Sequence, residues 1–187
     1  MKVGLVYFSS SDVTKKLVLS AISGIEELDV KTYRYRIVGE DIVSGRFVNN
    51  EVFDYLKDCD AIIFASPTYM GGVSAQFKAF IDASSEQWCK QEWAGKVAAG
   101  ITCGSALNGD QSSTLQYLVT FSSQHGMYWC SLDSAHGYND HGINRLGCQL
   151  GVVAQSTSEV VNKTDIATAR YLGRRVAELT VRINNEI

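Results

Sequence analysis

The chain has 187 residues, 45% of them hydrophobic, with 17 Lys+Arg against 20 Asp+Glu and a formal net charge of −3. That length suits one domain spanning 1–187 with a substantial core. The near-balanced charge offers no basic stripe for nucleic acid and lacks the strongly acidic field that steers an electron carrier onto basic partners.

Lys2 to Phe8 reads as a strand, followed by a hydroxyl-rich turn of Ser9, Ser10, Ser11, Asp12, Val13 and Thr14. From Lys15 to Leu28 the apolar positions Leu17, Val18, Ala21, Ile22 and Ile25 have the spacing of an amphipathic helix. A helix N-terminus carries unpaired N–H groups and a partial positive charge, so it can seat a phosphate. Hydroxyls at Ser9, Ser11 and Thr14 would complete such a cradle without any lysine or arginine; simple helix capping is the competing reading. Neither nucleotide fingerprint is present, since the turn contains no G-x-x-x-x-G-K-[ST] and no G-x-G-x-x-G.

Further strands are expected near 29–35, 60–66, 96–102 and 127–132, separated by helical patterns near 50–58, 74–86 and 111–124, with a last helix near 164–183. Alternation of this kind predicts an α/β fold with a parallel sheet covered by helices on both faces. The run Ala61 to Ala65 stops at Ser66-Pro67, and Pro67, the only proline, fixes φ at the entry to a short loop of Thr68, Tyr69, Met70, Gly71 and Gly72. The helical positions Ala75, Phe77, Phe80 and Ile81 follow. Bare backbone just beyond a buried strand marks the edge where open parallel sheets bind ligands, although an ordinary strand-to-helix turn looks the same. A third loop, Cys103, Gly104, Ser105, Ala106, Leu107 and Asn108, precedes the helix opening at Gln111. Five such units suit the three-layer flavodoxin-like arrangement, a five-stranded sheet of order 2-1-3-4-5, in which these three loops converge on one crevice.

These residues resemble the flavodoxin-fold FMN proteins of the WrbA type, the NAD(P)H:quinone oxidoreductases, with kinship to NADPH-dependent FMN reductases. The markers are Ser9–Thr14, Pro67-Thr68 with Gly71 and Ser74, Trp88, Gly95-Lys96, His125-Gly126-Met127 and Ala169-Arg170-Tyr171-Leu172-Gly173. The resemblance covers nearly the whole chain. It implies that Ser9 to Thr14 hold the FMN phosphate, that Thr68, Tyr69, Met70 and Gly71 line the isoalloxazine ring, and that Cys103 to Asn108 close another edge. It also implies NAD(P)H as co-substrate and a quinone-like acceptor, reduced by two electrons in a ping-pong cycle. The assembly it implies is a homodimer or homotetramer, with the tryptophan reaching a neighbouring subunit's site.

Departures from that pattern matter. Asp12 stands where relatives carry glycine, and a carboxylate there repels a phosphate unless it turns outward or caps an N–H. Tyr69 and Met70 replace arginine and phenylalanine, which removes a fixed cation beside the ring. Gln124-His125 replaces paired histidines, so the flavin-contacting position falls on Gln124, which cannot donate a proton as an imidazolium would. Trp88 is the candidate for stacking a planar substrate and His125 for protonating a reduced quinone; a packed aromatic and a structural histidine are the competing readings.

Five cysteines (59, 89, 103, 130 and 148) form no C-x-x-C pair, and their odd number argues against a disulfide framework. His125, Cys130, His136, His141 and Cys148 match no zinc spacing, so no metal is expected. Asn162-Lys163-Thr164 fits a glycosylation acceptor by chance. No membrane span or leader is expected, which points to the cytoplasm. The segment 131–151 is long and irregular, suited to covering the crevice or to subunit contact. Three readings remain open: an FMN-dependent quinone reductase, a one-electron carrier, and a flavodoxin-fold module acting through partners.

Overall fold

A computed structural model describes residues 1–134, 142–158 and 160–185. In chain order these form β1 (Lys2–Tyr7), α1 (Val13–Glu26), β2 (Lys31–Arg36), β3 (Ile42–Val43), β4 (Arg46–Phe47), α2 (Glu51–Lys57), β5 (Ala61–Tyr69) and β6 (Gly72–Val73). There follow α3 (Ala75–Ala83), α4 (Ser85–Cys89), β7 (Val97–Gly104), α5 (Gln111–Gln124), β8 (Tyr128–Trp129), β9 (Val152–Gln155) and α6 (Lys163–Asn185). The main sheet runs β2-β1-β5-β7-β8, with β9 also pairing to β7, and all of these pairs are parallel. This is the flavodoxin-like arrangement the alternation predicts, with the chain reversing direction across the sheet between β1 and β5.

Two differences from the sequence expectation concern the fifth position in the sheet. The strand expected near 127–132 is only Tyr128–Trp129, which pairs with Val97 and Ala98 at the start of β7. The chain then leaves the sheet and returns as β9, which pairs with Ile101 to Gly104 at the other end of β7. One strand position is thus filled by two segments, with 130–151 inserted between them. Residues 135–141, including His136 and His141, lie outside the described residues. The insertion is fastened where it returns: Arg145 holds buried Asp165 of α6 through two bonds of 2.7 and 2.8 Å, and Asp165 also accepts from the Gln155 amide at 3.2 Å. That network ties the carboxyl end of β9 to α6.

Core packing explains the strands. Ala61 to Ala65 are all fully buried, because β5 is covered on both faces and so reads as a continuous apolar run. One face packs Val3, Leu5, Ile63 and Ile101 beneath α1 and α6. The other packs Val6, Ile62 and Phe64 against an aromatic cluster that includes Phe53, Phe80, Trp93 and Phe121. Among the described residues no helix is long and apolar enough to cross a membrane.

Helices α1 and α6 touch through glycine on both sides. A Cβ on Gly24 would fall 2.0 Å from the Arg170 carbonyl oxygen, and one on Gly173 would fall 2.0 Å from that of Ala21. Because the obstacle is backbone, neither clash is relieved by a side-chain rotation. Gly173→Ala is therefore expected to destabilise the fold by roughly 1–3 kcal/mol or more through overpacking. Gly39→Ala, where the new methyl meets nothing within 4 Å, should be nearly neutral. Urea denaturation midpoints of the two variants check the contrast.

Candidate functional site

The carboxyl end of β1 hands over to α1 through Ser9 to Thr14. Among the described residues, none accepts a hydrogen bond from the amides of Ser10, Ser11, Asp12, Val13 or Thr14. Asp12 makes this possible by adopting φ 58°, a left-handed conformation that Asp tolerates better than most residues. Ser9 is buried, and its Oγ accepts from the Lys15 amide at 3.2 Å, leaving its own proton to donate. Thr14 Oγ1 lies 3.4 Å from Cys103 Sγ, and Ser10 Oγ lies 2.5 Å from the Tyr69 hydroxyl. Clustered free N–H groups with hydroxyls at a helix N-terminus have the donor chemistry of a phosphate seat.

This seat is not free of cations, contrary to the sequence expectation. Asp12 pairs with Lys15 at 3.2 Å and with Arg36 at 3.3 Å, and Arg36 also donates to the Ser9 carbonyl at 2.6 Å. The repulsion expected from Asp12 is thereby offset by two positive groups. Arg36 escapes a reading of the turn alone because it sits 27 residues beyond Ser9. The signal that finds it is topological: β2 pairs with β1 so that Arg36 lies level with Tyr7, just below the turn.

The second loop is a tight hairpin. Thr68 pairs with Val73 and Tyr69 with Gly72, leaving Met70 and Gly71 at φ 50° and 78°, both positive as in a type I′ turn. Methionine is costly in that conformation, yet Met70 is fully exposed, so no packing compensates it. The Thr68 hydroxyl contacts the hydroxyls of Thr102 and Thr114, each at 2.8 Å, so the side chain is committed to the scaffold. Ser66 Oγ accepts from the Ser74 amide at 2.9 Å, and Ser74 in turn caps α3.

A glutamine that the sequence reading marked only as a helix start organises the third loop. Buried Gln111 donates to Ala106 O at 2.7 Å and accepts from the Gly109 amide at 2.6 Å. A Cβ on Gly104 would sit 2.6 Å from the Gln111 amide nitrogen, so a side chain there would displace Gln111 from its loop contacts. From β9, Gln155 donates to Ser105 O at 2.9 Å, and the Ser156 amide donates to Gly104 O at 2.9 Å. Burial pushes the Cys103 thiol up, with the Thr14 contact opposing, so Cys103 is a packed thiol rather than a nucleophile.

Where the loops meet, two adjoining hollows of about 220 and 460 Å³ share Thr68, Gly104 and Ser105 as walls. Together they fall inside the roughly 300–1,000 Å³ typical of small-molecule sites. Ser11, Val13, Pro67, Tyr69 and Cys103 line the first hollow, and Met70, Gly71 and Ala106 line the second. Leu107 and Asn108 are exposed on the third loop, outside these walls, as is the neighbouring half-buried Gly72 on the hairpin.

The structure does not bring Trp88, Gln124 or His125 to this crevice within one chain. Gln111 opens α5 at the crevice, whereas Gln124 and His125 follow 14 residues of helix later, about 20 Å away at 1.5 Å per residue. They occupy the opposite edge of the sheet, where Gly95 donates to the Gly126 carbonyl at 2.9 Å. There, with Trp88 (47% exposed), they line a separate cavity of about 460 Å³ between α3, α4 and α5. The His125 ring is only 2% exposed and stacks on Trp93 at 4.4 Å. Ser84 Oγ donates to Ile81 O, so it accepts from His125 Nε2 at 3.0 Å and leaves Nδ1 as the unprotonated nitrogen. Burial pushes the His125 pKa down to about 4. At neutral pH this imidazole is uncharged, and within one chain it stands at the opposite edge of the sheet from the crevice.

The model of the NADPH-dependent FMN reductase family matches residues 6–133. The chain is 33% identical to the flavodoxin FldP of Pseudomonas aeruginosa over 186 residues, covering 95% of this chain and 96% of that protein. It is 26% identical to an NAD(P)H dehydrogenase (quinone) of Deinococcus radiodurans, covering 98% and 97% of the two chains. The crystal structure of a flavodoxin, WrbA-like protein from Agrobacterium tumefaciens superposes with a TM-score of 0.76 at 36% identity, covering 97% of this chain and 98% of that one.

Because His125 has a folded pKa of about 4 against an ordinary 6.5, its protonation favours the unfolded chain. The associated stability is complete above about pH 6.5 and is lost as pH falls toward 4. Between pH 7.5 and 5 the wild type should lose roughly 2 kcal/mol more than His125→Gln. Urea midpoints at the two pH values measure the difference.

Proposed function

The chain belongs to the NADPH-dependent FMN reductase family, and from that membership we propose that it reduces quinones or similar small acceptors by two electrons at the expense of NAD(P)H, in a ping-pong cycle. The observation that carries this reading is the row of unpartnered amides and hydroxyls from Ser9 to Thr14, set where three loops meet at the carboxyl edge of a parallel sheet. FMN, when bound, supplies the redox chemistry, accepting hydride from the nicotinamide and passing electrons to the acceptor. The protein's part is to hold and orient. The turn after β1 holds the phosphate through N–H and O–H donors. The hairpin at Tyr69 to Gly71 and the loop from Cys103 to Ala106 bracket the ring.

Tyr69 and Met70 present apolar surface at the mouth, where a planar nicotinamide or quinone stacks. Trp88 is suited to the same task only from a neighbouring copy, since its own crevice lies at the other edge of the sheet. A homodimer or homotetramer is therefore part of the proposal.

A second reading has specific support. The full-length relative from Pseudomonas aeruginosa is named a flavodoxin, which favours a one-electron carrier. The net charge of −3 weighs against it, because a carrier steers by a strong acidic field.

The test is to bind FMN to the purified protein and follow anaerobic oxidation of NADPH and NADH with and without benzoquinone. Quinone-dependent turnover with a two-electron stoichiometry supports the reductase. Negligible nicotinamide oxidation, with electrons exchanged only with a protein redox partner, supports the carrier. Ser9→Glu and Thr14→Glu should each abolish FMN retention in equilibrium dialysis, and unchanged retention would place the phosphate elsewhere.

A further inference from the structure

Arg36 is the last residue of β2, and its pairing with Tyr7 puts it beside the phosphate turn. Its guanidinium is already oriented there, one nitrogen on Ser9 O at 2.6 Å and another 3.3 Å from Asp12 Oδ1. The other carboxylate oxygen of Asp12 holds Lys15 at 3.2 Å. Two cations and one anion leave a local charge of +1 against the amides that have no partner. The Arg36 and Lys15 side chains are 36% exposed, so neither is sealed away from an incoming anion. Arginine carries five N–H donors, more than the two contacts with Ser9 and Asp12 use.

We propose that Arg36 makes the crevice selective for phosphorylated over unphosphorylated flavin, with Asp12 as a positioning residue that holds Arg36 and Lys15 at the turn and sets their net charge. This rests on the reading that FMN occupies the crevice. An ordinary surface ion pair is worth little. This one differs in place: its carboxylate belongs to the left-handed residue of the turn, whose own amide has no partner among the described residues. Riboflavin lacks the dianion, so it gains nothing from the cations and should be indifferent to them. Asp12 also sets a ceiling, because its negative charge offsets part of the field that it organises.

The experiment measures dissociation constants for FMN and for riboflavin by fluorescence quenching, at low and high ionic strength, in the wild type, Arg36→Gln and Asp12→Asn. Asparagine keeps the left-handed conformation accessible, and circular dichroism confirms that each variant is folded. Arg36→Gln should weaken FMN by about 10-fold or more, as expected for a lost charge-assisted interaction. Riboflavin should stay within about 2-fold, with no comparable charge to lose. Asp12→Asn should tighten FMN several-fold and steepen its salt dependence, because local charge rises from +1 to +2.

Equal loss of FMN and riboflavin in Arg36→Gln would show that the arginine only braces the loop, and would overturn the inference while leaving the FMN reading intact. Unchanged FMN affinity and salt dependence in Asp12→Asn would also overturn it, independently of the arginine variant. Failure of the wild type to bind FMN would overturn the underlying reading itself.

Discussion

Five consecutive amides without partners among the described residues, at the end of a strand buried from Val3 to Tyr7, are the constraint around which this molecule is arranged. Backbone N–H groups left unpaired are costly unless water or a ligand serves them. A chain that merely needed to turn from β1 into α1 could do so with fewer of them. Here Asp12 takes a left-handed conformation, Ser9 caps Lys15 from below, and Thr14 is pinned to Cys103. Each of these contacts keeps the turn open rather than collapsing it onto itself. The cost is borne by the well-packed layers beneath, in which α1 meets α6 through facing glycines.

The other two loops are held by buried and half-buried polar groups beneath them. Thr68, Thr102 and Thr114 form a hydroxyl cluster under the hairpin, and Gln111 folds the third loop around its side-chain amide. Such contacts are individually modest but fully paired, and a satisfied buried network specifies one geometry. The loops are therefore braced by contacts within the chain itself. That is the pre-organisation a cofactor site needs, since loosely held walls would lose binding energy to ordering.

Much of this was legible in the sequence because local pattern and topology agree. The strand at Lys2 to Phe8, the hydroxyl turn and the helix after it each follow from short-range periodicity, as does the Ala61 to Ala65 run buried on both faces. What escaped was non-local. Arg36 reaches the phosphate turn only because β2 pairs with β1, and Gln111 acts on residues before it in the chain. The fifth strand position is built from Tyr128–Trp129 and Val152–Gln155, two pieces too short for periodicity to join. The roles expected of Trp88, Gln124 and His125 came from resemblance and not from local pattern, and within one chain helix length places them at the far edge of the sheet.

That separation bears on where protons come from. The described walls of the crevice carry no histidine, lysine or arginine, but they include Asp110 and Tyr69, and burial pushes the Cys103 thiol up. His125 is neutral and packed against Trp93 and Phe121 at the opposite edge of the sheet. On the proposed function, an acceptor taking up two electrons can draw its protons from water at the mouth, where Tyr69 and Met70 are exposed, or by way of Asp110 in the wall. Water is an adequate source for a quinone, whose reduced oxygens face solvent once it leaves. It serves poorly for a substrate whose protonation must be stereospecific at carbon, because that requires a fixed donor near the reacting atom.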